Sequence, residues 1–147
     1  MAKMRYVIPE FEKFYAGSLH KDIPEYQSIK IAHAIVTRGG NTLRMSGYPA
    51  IGPDGIIGKG DMRVQTLTAL DYVKRTVEWA GATWNDIVHM TFYFTDREKW
   101  HREAVPARVE FFNRYSSELP CITSIGVASL MHPDMLIEIE ATAVWGD

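Results

Sequence analysis

The chain has a single cysteine, Cys121, among 147 residues. That excludes an intramolecular disulfide and any multi-cysteine metal site, and a lone thiol is easiest to keep reduced in the cytosol. Long apolar runs are missing as well: no stretch approaches the ~20 residues needed to span a bilayer. The first fifteen residues interleave Lys3, Arg5, Glu10, Glu12 and Lys13 with apolar side chains, so they lack the apolar core of a signal peptide. A cytoplasmic protein with no membrane partner is the expectation. An excess of either charge is also missing, with 16 Lys and Arg against 18 Asp and Glu and a formal net of −2, which gives no electrostatic case for a nucleic-acid partner. The histidines, His20, His33, His89, His101 and His132, show no HxxxH or HxH spacing, and there is no GxSxG elbow. No metal and no other cofactor is expected.

What is present fits one globular domain over residues 1–147, which needs no disulfide staple at this size. Residues 1–28 contain Pro9 and Pro24 with weak periodicity and read as an irregular arm. Residues 29–36 have strand character, Gly39-Gly40-Asn41 is a turn signal, and residues 42–46 read as the return strand of a hairpin. Residues 47–60 are rich in glycine and proline. They carry neither GxxxxGK[ST] nor GxGxxG, so a turn-rich connection at a pocket mouth is preferred over a phosphate cradle. In residues 61–80, Val64, Leu67, Leu70, Val73, Val77 and Ala80 recur at helical spacing, with Gly81 as the stop. Residues 88–95 alternate, Met90, Phe92 and Phe94 on one side and His89, Thr91 and Tyr93 on the other. Asp96 is a plausible N-cap for a second helical region to about residue 115, with Pro106 inside it as a break or a start. Residues 121–127 and 135–144 read as closing strands. The expected fold is α+β, a mixed sheet with both helices on one face. The other face has no third helix to cover it, so burial against another subunit is expected.

Several segments resemble the Rid (YjgF-type) family in order and spacing. They are Arg44-Met45-Ser46-Gly47, Gly60-Asp61, Gln65-Thr66, the run Ala80-Gly81-Ala82-Thr83-Trp84-Asn85-Asp86-Ile87-Val88, and Thr95-Asp96. Arg108 with Phe111-Phe112, Pro120, and Leu136-Ile137-Glu138-Ile139-Glu140-Ala141 complete the set, which spans roughly residues 28–145. The resemblance implies a chorismate-mutase-like fold and a homotrimer with its sheets inward and its clefts at the subunit interfaces. It also implies chemistry on small nitrogen compounds: enamine or imine hydrolysis, 2-aminomuconate deamination, or reactions of hydroxylaminobenzoate in aromatic degradation. The chain departs from the pattern where archetypal deaminases carry an arginine for the substrate carboxylate. Ile122 stands there, and it cannot offer charge-assisted bidentate contacts. Ser124 replaces a family cysteine, and Val105 replaces an asparagine.

On this resemblance Glu138 is the candidate catalytic residue, matching the glutamate that orients or activates the attacking water. Imine hydrolysis needs a group that removes a proton from water and returns one to the leaving nitrogen. Glu140 lies on the same strand face and reads as a solvated or ion-paired charge. Ser46 and Gly47 match a pocket floor where a backbone N–H holds a substrate oxygen. Tyr48, Ile122, Thr123 and Ser124 are further candidates for substrate contact. Arg108 is a candidate replacement cation if its helix face borders the cleft. Cys121 reads as packing. Three functions compete: a deaminase-type hydrolase releasing ammonia, a hydroxylaminobenzoate lyase-type enzyme, and a non-catalytic ligand-binding or chaperone-like trimer.

Overall fold

The computed structural model describes residues 2–6, 32 and 34–146. The expected arm is outside these residues apart from its start, where β1 (Ala2–Tyr6) is a strand and not irregular chain. It pairs antiparallel with β2 (Ala34–Arg38), and Lys3 reaches over to hydrogen-bond the Asp86 carboxylate. Gly39 and Gly40 both take positive φ, as a tight turn demands. The strands flanking them do not form the expected hairpin. β2 pairs with β1, whereas β3 (Asn41–Arg44) pairs with β9 (Ile137–Trp145). The nine residues of β9 leave an edge that β3 joins, and such long-range competition cannot be read from the turn.

The main sheet runs in the order β3-β9-β7-β8, with β7 at Ile87–Phe94 and β8 at Cys121–Gly126. The short strand β4 (Tyr48–Pro49) joins β9 on the edge that β3 uses. Within the intervening loop, β5 (Ile51–Gly52) and β6 (Gly55–Ile56) form a small ladder. β7 and β8 are parallel, the other pairings of the sheet antiparallel. A parallel pair needs a crossover, and the second helical region supplies it.

Helix α1 (Met62–Trp79) starts where Asp61 accepts a hydrogen bond from the Val64 N–H, and it stops at Gly81, whose φ is +82°. The second region is composite. Asp96 caps a short turn, α2 (Arg97–Lys99); a π-helical turn over Trp100–Ala104 follows; then α3 (Val105–Tyr115) carries Pro106 in its first turn. Proline has no N–H to give the carbonyl four residues back, and the wider turn falls where that bond is missing.

Both helices pack on the face formed by Met90, Phe92, Ile137, Ile139, Ala141 and Ala143, and Trp100 stacks on Phe94. Gln65, fully buried in α1, ties this layer to the strand that matters most. Its amide donates to the Gly58 and Asp134 carbonyls and accepts from the Leu136 N–H, fixing the chain one residue before β9. Among the described residues no helix is long and apolar enough to cross a membrane.

Candidate functional site

The alternation of β9 places its carboxylates. Ile137, Ile139, Ala141 and Ala143 are buried under the helices, so Glu138, Glu140 and Thr142 project to the opposite face, which no helix among the described residues covers. Registers with β7 set Tyr93 beside Glu138, Thr91 beside Glu140 and His89 beside Thr142. β8 extends this face with Cys121, Thr123 and Ile125, the partners of His89, Thr91 and Tyr93.

A bulge shapes the Glu138 end. From Arg44↔Thr142 to Tyr48↔Ile139, three residues on the β3–β4 side face two on β9. The ladder continues to the Met45 N–H, which donates to the Ala141 carbonyl, and then the extra residue is accommodated at Ser46-Gly47. Gly47 thereby lies against Glu138: a Cβ there would stand 2.0 Å from Oε1 and 2.8 Å from Cδ. Gly47 is needed for space and not for its backbone angles, since it is absent from the positive-φ glycines. The half-buried Glu138 carboxylate therefore rests on bare backbone beside the exposed Ser46.

Glu140 is held differently. The Tyr93 hydroxyl donates to its Oε1 at 2.9 Å. That hydrogen bond, partial burial, and the charges of Glu140 and Glu138 all push the phenol above its ordinary value, so it stays a neutral donor. The sequence reads Glu140 as a solvated or ion-paired charge and does not reveal this pair. The alternation showed that both residues sit on the bare face, but the register that joins them belongs to the sheet. Among the described residues no group of three His, Cys, Asp or Glu side chains is placed to hold a metal.

The other candidate residues divide between the two faces. Thr123 shares the face of Glu138 and Glu140, reached through Thr91. Ile122 and Ser124 register with Met90 and Phe92, the core-facing residues of β7, and Ile122 packs against the core. Tyr48, partner of Ile139, faces helix α1, where its hydroxyl hydrogen-bonds with that of Thr76 at 2.9 Å. Arg108 does not border the bare face. It is 3% exposed, its guanidinium 5.2 Å from the Phe92 ring centroid and 5.6 Å from that of Trp100. The aromatic rings between helix and sheet draw the cation inward, which corrects the expectation that Arg108 replaces the missing arginine from a cleft wall.

An α+β domain with one helix-covered face, and a second face, bare among the described residues, where a carboxylate sits over a glycine bulge, is the class that this geometry defines. The family model described as Endoribonuclease L-PSP matches residues 19–145. A RutC family protein of Pyrococcus abyssi is 33% identical over 122 residues, covering 82% of this chain and 85% of that protein. The solved structure of a conserved Rid family protein of unknown function, YyfB from Yersinia pestis, superposes with a TM-score of 0.74 at 28% identity, covering 99% of this chain and 100% of that one. TdcF of E. coli, solved with bound serine, gives a TM-score of 0.65 at 28% identity, covering 80% of this chain and 91% of that one. The chain belongs to the Rid family, the YjgF/RutC proteins.

Proposed function

We propose that the chain hydrolyses a C–N bond, releasing ammonia from an enamine or imine at a site on the bare sheet face, with Glu138 as its general base and acid. The supporting observation is the Glu138 carboxylate seated over Gly47. Glu138 takes a proton from water as the oxygen bonds to the imine carbon and the C=N π electrons move to nitrogen. It returns the proton to that nitrogen, giving a carbinolamine. Glu138 then takes the hydroxyl proton and delivers it to the nitrogen as the C–N bond breaks and the C=O forms, and ammonia leaves. The backbone at Ser46-Gly47 is the candidate support for a substrate oxygen. A homotrimer completes the cleft in this reading by bringing a second subunit over the bare face. Ile122 packs against the core on the opposite side of the sheet and does not touch a substrate at Glu138, so 2-aminoacrylate and the larger 2-aminomuconate are both candidates. The family model's description names an endoribonuclease, but a face carrying Glu138 and Glu140 in a chain of net charge −2 gives a polyanion no attractive surface.

The test is ammonia release by the purified chain from 2-aminoacrylate generated in situ, 2-aminomuconate and 4-hydroxylaminobenzoate, with Glu138→Gln and Gly47→Ala alongside. Release above the spontaneous rate is expected to fall at least ~100-fold in Glu138→Gln. In Gly47→Ala it is expected to fall by about tenfold, because the added methyl must displace the carboxylate. Release that survives Glu138→Gln would remove Glu138 from the chemistry. No release from any substrate would favour a ligand-binding trimer.

A further inference from the structure

A concave site lies on the helix side of the sheet, across from Glu138. Tyr48, Tyr72, Arg75, Thr76 and Trp79 line an open cleft of about 490 Å³ between β4 and the outward side of α1. That volume falls in the range of small-molecule sites. Tyr72, Arg75, Thr76 and Trp79 recur at three- and four-residue steps, so the helix presents them along one stripe.

The lining is preorganised. The Tyr72 hydroxyl donates to the Ile51 carbonyl at 2.7 Å, and the Tyr48 and Thr76 hydroxyls hydrogen-bond at 2.9 Å. The two tyrosine rings stand edge to face, their centroids 6.3 Å apart. Trp79 is 86% exposed, while Trp84 and Trp100 are buried in the core. A tryptophan left in water beside two fixed rings offers a large stacking surface. Arg75 supplies the charge. Its guanidinium carbon is 4.9 Å from the Tyr72 ring centroid, and its Nε is 3.0 Å from Asp71. Asp71 is the only ion-pair partner it has among the described residues, and it engages the Nε side. The edge formed by the two Nη nitrogens suits a carboxylate held by two parallel hydrogen bonds.

We propose that this cleft binds a single-ring aromatic carboxylate, its ring stacked on Trp79 and its carboxylate on the Nη edge of Arg75. The hydroxyl pair of Tyr48 and Thr76 meets a polar ring substituent. The proposal does not rest on the hydrolase reading, because Glu138 projects from the opposite face.

Benzoate is the probe, titrated into the purified full chain and followed by tryptophan fluorescence and calorimetry. Saturable quenching of the exposed tryptophan is expected. Benzamide lacks the charge and cyclohexanecarboxylate lacks the aromatic π face, so each binds about tenfold more weakly or worse. Arg75→Met reduces benzoate to the level of benzamide without changing benzamide itself. Trp79→Ala abolishes binding, whereas Trp79→Phe keeps it by calorimetry. Both positions are solvent-exposed on a helix, and far-UV circular dichroism checks that each variant folds. No saturable binding of benzoate, or binding that Arg75→Met and Trp79→Ala leave unchanged, would overturn the proposal.

Discussion

The phenol of Tyr93 stands between two carboxylates, directly across from Glu138 and hydrogen-bonded to Glu140. Its proton is held above the ordinary tyrosine value of 10.0 by that bond first, then by burial and the two charges. Below pH 10 the group is protonated whether the chain is folded or not, and its contribution to stability is complete. Between the ordinary and the raised value, the unfolded chain releases a proton that the folded chain keeps, so stability falls as pH rises. Tyr93→Phe is therefore expected to flatten the alkaline decline in urea-unfolding stability above pH 10. An unchanged slope would show that the pair is not coupled in solution. Gly47 and Glu138 teach a related lesson: the glycine is legible as part of a turn-rich segment, but its role is to leave room for one carboxylate, and only the bulge reveals that.

Among the elements, α1 is the one whose limits the sequence states most clearly. Its apolar spacing, its Asp61 cap and its Gly81 stop are local devices that act over a single turn. Its link to β9 is not local, since Gln65 reaches residues 134–136, about half the chain away. Gln65→Leu keeps the volume but leaves the Asp134 carbonyl and the Leu136 N–H without their partner, while the Gly58 carbonyl keeps its bond from the Asp61 N–H. A loss of about 3 kcal/mol in chemical denaturation is expected from those unsatisfied groups. Hydrogen exchange should quicken at the start of β9 and leave the far end of α1 less affected. A variant as stable as the parent would mean that water takes over at both groups. The second helical region was legible only in outline: Asp96 and Pro106 mark its parts, but the π turn between them is a compromise that the packed Trp100 and the proline reach together.

At the scale of the molecule, the decisive feature is a sheet with one face covered by helices and one that no helix among the described residues covers. The bare face mixes Thr91, Tyr93, Glu138 and Glu140 with the exposed Ile125, a surface suited to burial against copies of the same chain. A homotrimer is the proposed assembly, and analytical ultracentrifugation should give three times the chain's 16.7 kDa. Ile125→Glu puts a charge on that face and is expected to shift the chain toward monomer and lower the ammonia-releasing activity with it. A parent that sediments as a monomer, or a variant that remains a trimer, would move the subunit contact elsewhere.

Sequence alone determined the α+β class, the position of α1, and the alternation that turns Glu138 and Glu140 away from Ile137 and Ile139. These follow from backbone periods of 3.6 and 2 acting on near neighbours. Pairing decided the rest. β3 and β4 share one edge of β9, the surplus residue falls at Ser46-Gly47, Tyr48 turns toward α1, and Arg108 lies between aromatic rings rather than at a cleft wall. Register and side-chain burial depend on contacts between segments far apart in the chain, where many alternatives have similar local energies.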